Sequence, residues 1–202
     1  MSITTVISDI MGVLLLKDPD WQEDVRWEKR LGLPQGSLSA TLFGTAADQA
    51  AILGHISQSE LLERACQTLG LAPDALNGYE EALWAGRVFN LELARFLRCL
   101  RPRYKIAIWS NAWSEARRDF RRLFQLHTFV DHQIFSTEVR FAKPDERFYW
   151  RALARLGAQP EEVVFLDDRL ENVEAARRLG MQAILFEKNE QAIDAVRCVL
   201  RR

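Results

Sequence analysis

Paired cysteines are missing from this sequence. Cys66, Cys99 and Cys198 are odd in number and far apart. They form neither a disulfide framework nor a CxxC zinc motif, a usage that fits a reducing compartment. Packing in the core or at its boundary is their expected role. An excess of one charge is missing too, since 27 Lys and Arg face 28 Asp and Glu, for a formal net charge of −1. No global field draws such a chain to nucleic acid or to an anionic membrane. The basic pairs Arg117-Arg118 and Arg121-Arg122 lie in a helical pattern with apolar residues between them, and read as a solvated helix face. No apolar run approaches the ~20 residues a membrane-spanning helix needs. The first eight residues carry no basic stretch, so no signal peptide is expected and a cytoplasmic location is. Internal repeats and low-complexity segments are lacking as well.

What remains is a globular composition, 48% apolar and 27% charged over 202 residues, enough to bury a sizeable core. Short apolar runs at about 4–8, 105–110, 133–136, 163–166 and 182–186 read as five buried strands. Helical patterns at 114–126, 145–156, 171–179 and 189–200 follow the last four, and Gly157 and Gly180 stand where two of them should stop. Such alternation predicts an α/β fold with a doubly wound, mostly parallel, five-stranded Rossmann-like sheet. Between Lys17 and Gly86 no strand is legible. Helical stretches at 21–31, 37–43, 59–69 and 74–85 would form a small bundle, because a structureless loop of that length is improbable. The expected organisation is a core of residues 1–16 plus 87–202, with a helical cap of residues 17–86 inserted after the first strand.

The chemistry-bearing residues fall at strand ends. Asp9 ends the first run, Ser110-Asn111 the second, and Asp167-Asp168 the fourth, while Lys143-Pro144 follows the third by several residues. Parallel strands gather their carboxyl ends along one sheet edge, where such sheets bind ligands. Clustered carboxylates there need a cation to offset their repulsion. Phosphoryl transfer needs a nucleophile, donors for the equatorial oxygens, a cation and a metal, and these four elements supply those types. Two adjacent acids after a buried strand also exceed what a helix cap requires.

Taken together, Asp9-Ile10-Met11-Gly12-Val13-Leu14, Trp109-Ser110-Asn111, Lys143-Pro144-Asp145 and the stretch from Phe165 through Asp167-Asp168 to Ala176 resemble the four motifs of the haloacid dehalogenase-like hydrolase superfamily. The helical insert after the first strand resembles its capped branch, which includes sugar-phosphate phosphatases, the phosphatase domain of epoxide hydrolases and the dehalogenases. The resemblance implies a magnesium-dependent phosphatase acting on a small phosphorylated metabolite. Asp9 would attack phosphorus and form an aspartyl-phosphate, and Lys143 would neutralise charge between Asp9 and the phosphate. Ser110 and the backbone of Asn111 would hold phosphate oxygens. The magnesium site would comprise Asp9, the carbonyl of Met11, Asp168 as a direct ligand, and Asp167 acting through water or as an orienting partner. Neither nucleic acid nor membrane is implied, and the chain would be a monomer or dimer.

Met11 departs from that pattern. In the phosphatases of the family an aspartate stands there, protonating the leaving oxygen and later activating water. A thioether does neither, and general acid–base catalysis is typically worth about 10²–10⁴-fold. Two alternatives stay open: a catalytically impaired phosphate-binding or interaction protein of the same fold, and a metal-independent, dehalogenase-like hydrolase. Dehalogenases of the superfamily also lack that aspartate, but the acidic pair Asp167-Asp168 fits a metal site better than a halide site. His55 is a candidate substitute for the missing acid, with surface exposure the blander expectation. Trp109 and Trp113 could line a small apolar pocket, although a tryptophan on a strand is more often core. Trp21, Trp27 and Trp84 are expected to pack between helices, Arg169 and Glu171 to form an exposed ion pair, and Asn172 to support the site by hydrogen bonding. Hinges for a moving cap would lie near residues 16–17 and 86–87.

Overall fold

Parallel strands covered on both faces must be apolar at every position, and the five legible runs have that character. In the computed structural model, which describes residues 2–201, the chain opens with β1 (Thr5–Ser8) and a short β2 (Leu15–Lys17). Five helices follow: α1 (Glu23–Leu31), α2 (Ser37–Leu42), α3 (Ala46–Ile52), α4 (Gln58–Thr68) and α5 (Tyr79–Ala85). The chain returns as β3 (Arg87–Phe89) and then alternates through α6 (Leu91–Leu100), β4 (Lys105–Ser110), α7 (Ala116–Phe124), β5 (His132–Phe135) and the single turn α8 (Ser136–Val139). It ends with α9 (Glu146–Leu156), β6 (Val163–Asp167), α10 (Leu170–Arg178), β7 (Gln182–Leu185) and α11 (Asn189–Leu200). The main sheet has the order β5-β4-β1-β6-β7 and is parallel throughout, the doubly wound α/β fold expected.

Side chains alternate across that sheet with period two. Val6, Ile106, Ile108, Val164 and Leu166 enter one core with Leu93, Leu97, Phe120 and Val196 from α6, α7 and α11. Ile7, Ala107, Trp109, Val163 and Phe165 enter a second core with Phe148, Leu153, Val173 and Ala176 from α9 and α10. The helices α1–α5 pack around a third cluster of their own, including Trp27, Leu38, Leu42, Leu61, Ala65 and Tyr79. Trp27 meets Tyr79 edge-on at 5.3 Å. The buried carboxylate of Glu28 accepts from the backbone N–H groups of Gly36 (2.9 Å) and Leu38 (2.8 Å), holding the start of α2. Ser57 and Glu60 form a reciprocal capping box on α4.

Several local expectations differ from the structure. β2 and β3 form an antiparallel ribbon, Leu15 opposite Phe89 and Lys17 opposite Arg87, with only three residues per strand. Such strands are too short to show an alternation. The ribbon also bridges both segments expected to act as hinges. The stretch 74–85 is not one helix, because Gly78 takes a positive φ of 83° and α5 begins only after it. Helices α3 and α6 add to the expected set; Asn90 caps α6, its Oδ1 accepting from the N–H of Leu93. Ser136 opens α8 rather than ending β5. Cys66 is buried as expected, but Cys99 and Cys198 are exposed rather than packed. Among the described residues no helix is long and apolar enough to cross a membrane.

Candidate active site

β1 lies between β4 and β6, so the residue after it emerges at the middle of the carboxyl edge. That residue is Asp9. Its N–H donates to the carbonyl of Leu166 on the neighbouring strand at 2.8 Å, and its Oδ1 accepts from the N–H of Ile10 at 2.6 Å. The chain then turns sharply: the N–H groups of Leu14 and Leu15 both reach the carbonyl of Ile10, at 2.9 and 2.7 Å. Gly12 makes this turn with φ of +79°, and a side-chain carbon on it would collide with the carboxylate of Asp168. Glycine is thus required twice at this position, for conformation and for space. Asn90 ties the loop down by donating to the carbonyl of Val13 at 2.8 Å.

Lys143 reaches into the cluster from the segment between α8 and α9. Its ammonium is buried, 3.1 Å from Asp9 Oδ1 and 2.6 Å from Asp167 Oδ2, and it donates to the carbonyl of Trp109 at 3.2 Å. Asp167 Oδ1 accepts from the N–H of Arg169 and from Nδ2 of Asn172, both at 2.9 Å. One carboxylate oxygen from each of Asp9, Asp167 and Asp168 lies within 4.8 Å of the others. Three acids thus share one neighbourhood in which the Lys143 ammonium pairs with two of them. Burial pushes the Asp9 carboxyl up to about 7, Lys143 pulls it down, and the charge of Asp167 adds to the rise. Asp168 is also raised, by burial first and Asp167 second. Burial would lower Lys143, but Asp9 and Asp167 outweigh it and hold the ammonium charged above its ordinary value. The cluster is short of positive charge, and its all-oxygen donor set suits a hard divalent cation.

Ser110, at the end of β4, is buried beside this cluster, and its hydroxyl makes only a long 3.4 Å bond to the carbonyl of Asn111. The carboxamide of Asn111 is fully committed. Nδ2 donates to the carbonyl of Lys143 at 2.8 Å, and Oδ1 accepts from the N–H of Lys143 at 2.9 Å. Met11 lies on the wall of a cavity of about 160 Å³ between the Asp9 loop, the loop after β4 and helices α3 and α5. Trp84 and Trp113 line it too, whereas Trp109 is core, edge-on to Phe148 at 5.8 Å. Trp27 packs on Tyr79, and the ring of Trp21 fills the space above Gly86. His55 is exposed and does not line the cavity. Arg169 and Glu171 form an exposed pair at 2.5 Å.

Three contributors escape a reading of the sequence. Asp48, buried on α3, accepts from the indole N–H of Trp113 at 2.8 Å and from the N–H of Gly44 at 2.8 Å, fixing the tryptophan at the cavity. The hydroxyl of Ser136 donates to the carbonyl of Ile52 at 2.7 Å and accepts from the N–H of Ala112 at 3.1 Å, linking α3 to the loop after β4. The third is the side chain of Asn111, whose partner is a backbone 32 residues away. No local pattern marks any of them.

A family model described as haloacid dehalogenase-like hydrolase matches residues 3–180. Among curated relatives, the bifunctional epoxide hydrolase 2 of Sus scrofa is 28% identical over 96% of this chain, which spans only 38% of that protein's length. Phosphatase MT3486 of Mycobacterium tuberculosis is 31% identical, covering 97% of this chain and 93% of the relative. The solved structure of a HAD-like family hydrolase from Porphyromonas gingivalis superposes with a TM-score of 0.81 at 25% identity, over 100% of both chains. An enzyme from Bacteroides thetaiotaomicron in complex with magnesium and inorganic phosphate shares the fold, with a TM-score of 0.76 at 18% identity over 92% of this chain and 95% of that one. With the fold, the order of its strand-end residues and the family model in agreement, this chain belongs to the haloacid dehalogenase-like hydrolases.

Proposed function

We propose that this hydrolase is a magnesium-dependent phosphatase of a small phosphorylated metabolite, working through a phospho-aspartate at Asp9. The observation that carries the reading is the convergence of the Asp9, Asp167 and Asp168 carboxylates on one point, where the buried ammonium of Lys143 pairs with the first two. A dehalogenase-like site working without metal would have no use for so large an excess of carboxylate. The likeness to Phosphatase MT3486 over nearly the whole of both chains supports the same choice.

The contacts support a division of labour. Oδ1 of Asp9 is held by the N–H of Ile10 and by Lys143, and among the described residues Oδ2 has no hydrogen bond. We assign the attack on phosphorus to Oδ2. The bond from phosphorus to the ester oxygen breaks as the bond to Asp9 forms, and the leaving oxygen departs with the electron pair. Lys143 offsets charge between the aspartate and the phosphoryl oxygens, while the hydroxyl of Ser110 and the N–H of Asn111 are donors for those oxygens. Water then attacks phosphorus, releases inorganic phosphate and regenerates Asp9. Asp9, Asp167, Asp168 and the carbonyl of Met11 are the residues that would hold magnesium, and the space left by Gly12 keeps the Asp168 carboxylate at that cluster. When bound, the ion supplies positive charge at the reacting phosphate.

Neither step has an acid–base group at residue 11, so the first step is slow for poor leaving groups and the second proceeds without a base at that position. We further assign residues 1–16 and 87–202 to a catalytic core and 17–86 to a helical cap, a division supported by the separate hydrophobic cluster of α1–α5. Phosphate release from phenyl phosphate, with magnesium or with chelator, tests the reading. Magnesium-dependent release that Asp9→Asn abolishes is expected; release indifferent to magnesium or to Asp9→Asn would overturn it.

A further inference from the structure

The cavity beside Met11 is small, and aromatic and aliphatic side chains make up most of its wall. Two aromatic pairs frame it: Phe43 stacks on Trp113 at 5.6 Å with 12° between the planes, and Trp84 meets Phe120 edge-on at 4.9 Å. Leu83 and Met11 add aliphatic surface. Its volume of about 160 Å³ is close to that of an apolar cavity of about 150 Å³ that accepts one benzene molecule. The wall includes Met11, two residues beyond Asp9, and Asn111, Ala112 and Trp113, the three residues after Ser110, so whatever fills it lies beside the residues assigned to the phosphate.

Polar atoms in the wall are mostly spent. Asp48 is satisfied by Trp113 and Gly44, and the Asn111 carboxamide by the backbone of Lys143. Among the described residues, the side chains of Glu80 and Arg87 and the indole N–H of Trp84 are the lining groups left without a hydrogen-bond partner. Beyond these three and the satisfied groups the wall is mostly carbon, so a ring buries against aromatic and aliphatic surface, where a hydroxyl turned to that surface costs on the order of 1–3 kcal/mol when left unpaired. Leaving-group chemistry agrees independently. A phenol has a pKa of about 10, so a phenolate departs from phosphorus without the proton that Met11 cannot give, whereas an alkoxide does not.

Resting on the phosphatase reading, we propose that the ester group this site accepts is a single apolar ring, making the substrate class an aryl phosphate monoester rather than a sugar phosphate. In the reaction, the bond from phosphorus to the phenolic oxygen breaks, the phenolate leaves with the electron pair and takes its proton from water, and Asp9 carries the phosphoryl group.

Two measurements on the wild-type protein with magnesium test the assignment. The first compares kcat/KM for phenyl phosphate with that for glucose 6-phosphate. The second compares inhibitor or ligand affinity for phenylphosphonate with that for methylphosphonate, which reads the cavity without chemistry. The expected results are a preference for phenyl phosphate of about 100-fold or more and binding of phenylphosphonate at least about tenfold tighter. In Leu83→Trp, which fills the cavity, the phosphonate preference should vanish while the affinity for inorganic phosphate is kept. Equal or better turnover of the sugar phosphate, or equal binding of the two phosphonates, overturns the proposal. If no ester is turned over, the phosphatase reading fails, and the phosphonate comparison alone decides whether the cavity selects a ring.

Discussion

The carboxamide of Asn111 holds the backbone of Lys143 at both ends, donating to its carbonyl at 2.8 Å and accepting from its N–H at 2.9 Å. A lysine on a connecting segment thereby becomes fixed to the end of β4, with its ammonium between Asp9 and Asp167. Asn111→Ala removes two hydrogen bonds and leaves two backbone groups without partners, at an expected loss of about 1–3 kcal/mol in urea unfolding. As a positioning residue, Asn111 should affect kcat more than KM. A drop of about 10–100-fold in kcat is expected, with inhibition by inorganic phosphate little changed. A change confined to stability would contradict a role in holding Lys143.

Magnesium should stabilise the folded chain through the three carboxylates. At 100 times its dissociation constant the gain is about 2.7 kcal/mol, or a rise in Tm of about 5–10 °C for a chain of this size. Asp168→Asn removes a carboxylate whose charged form is disfavoured by burial and by Asp167. The metal-free variant should therefore melt at or slightly above the wild-type temperature, and its magnesium-induced shift should largely disappear. Equal shifts in both proteins would count against Asp168 as a ligand.

Asp131 offers a pH test away from the site. Burial pushes its carboxyl up, but the N–H of Ile106 and the guanidinium of Arg101 outweigh burial and hold it below the usual range. A folded pKa below the unfolded value of about 3.9 means stability that is present above pH ~4 and lost as pH falls through the folded value. Asp131→Asn should cost about 1–2 kcal/mol at pH 7, and urea melts at pH 3 should show a smaller difference from wild type. A difference independent of pH would sink this account.

Met11→Asp introduces a carboxyl at the wall of the cavity, two residues beyond the nucleophile. The kcat/KM of an alkyl phosphate should rise by about 10²-fold or more, and that of phenyl phosphate by much less, because this ratio reads the first step and a phenolate leaves without a proton. A gain confined to kcat for both esters would mean that the missing acid limits only the hydrolysis of the phospho-aspartate.

The strands are legible because β1 and β6 are buried throughout and β4, β5 and β7 carry buried apolar stretches, and Asp9, Lys143 and Asp167-Asp168 are legible because each follows or ends such a strand. β2 and β3 are too short to carry a period, and the start of α6 is marked in the sequence only by Asn90 at its cap. Gly78 divides a stretch that reads as one helix, since its positive φ is a property of the fold rather than of the pattern. The grip of Asn111 on Lys143 and of Asp48 on Trp113 spans 32 and 65 residues. Only the folded chain brings such pairs together, which is why residue types and local spacing reveal the acids and the lysine but not what aims them.

The most direct test of the central claim is to mix wild-type protein with phenyl phosphate and magnesium, quench in acid, and map the phosphoryl group by peptide mass spectrometry. One acid-stable, base-labile acyl phosphate on Asp9, lost in Asp9→Asn, is the result this account predicts. Turnover with no phosphoryl group on Asp9, or a group carried by another residue, would contradict it.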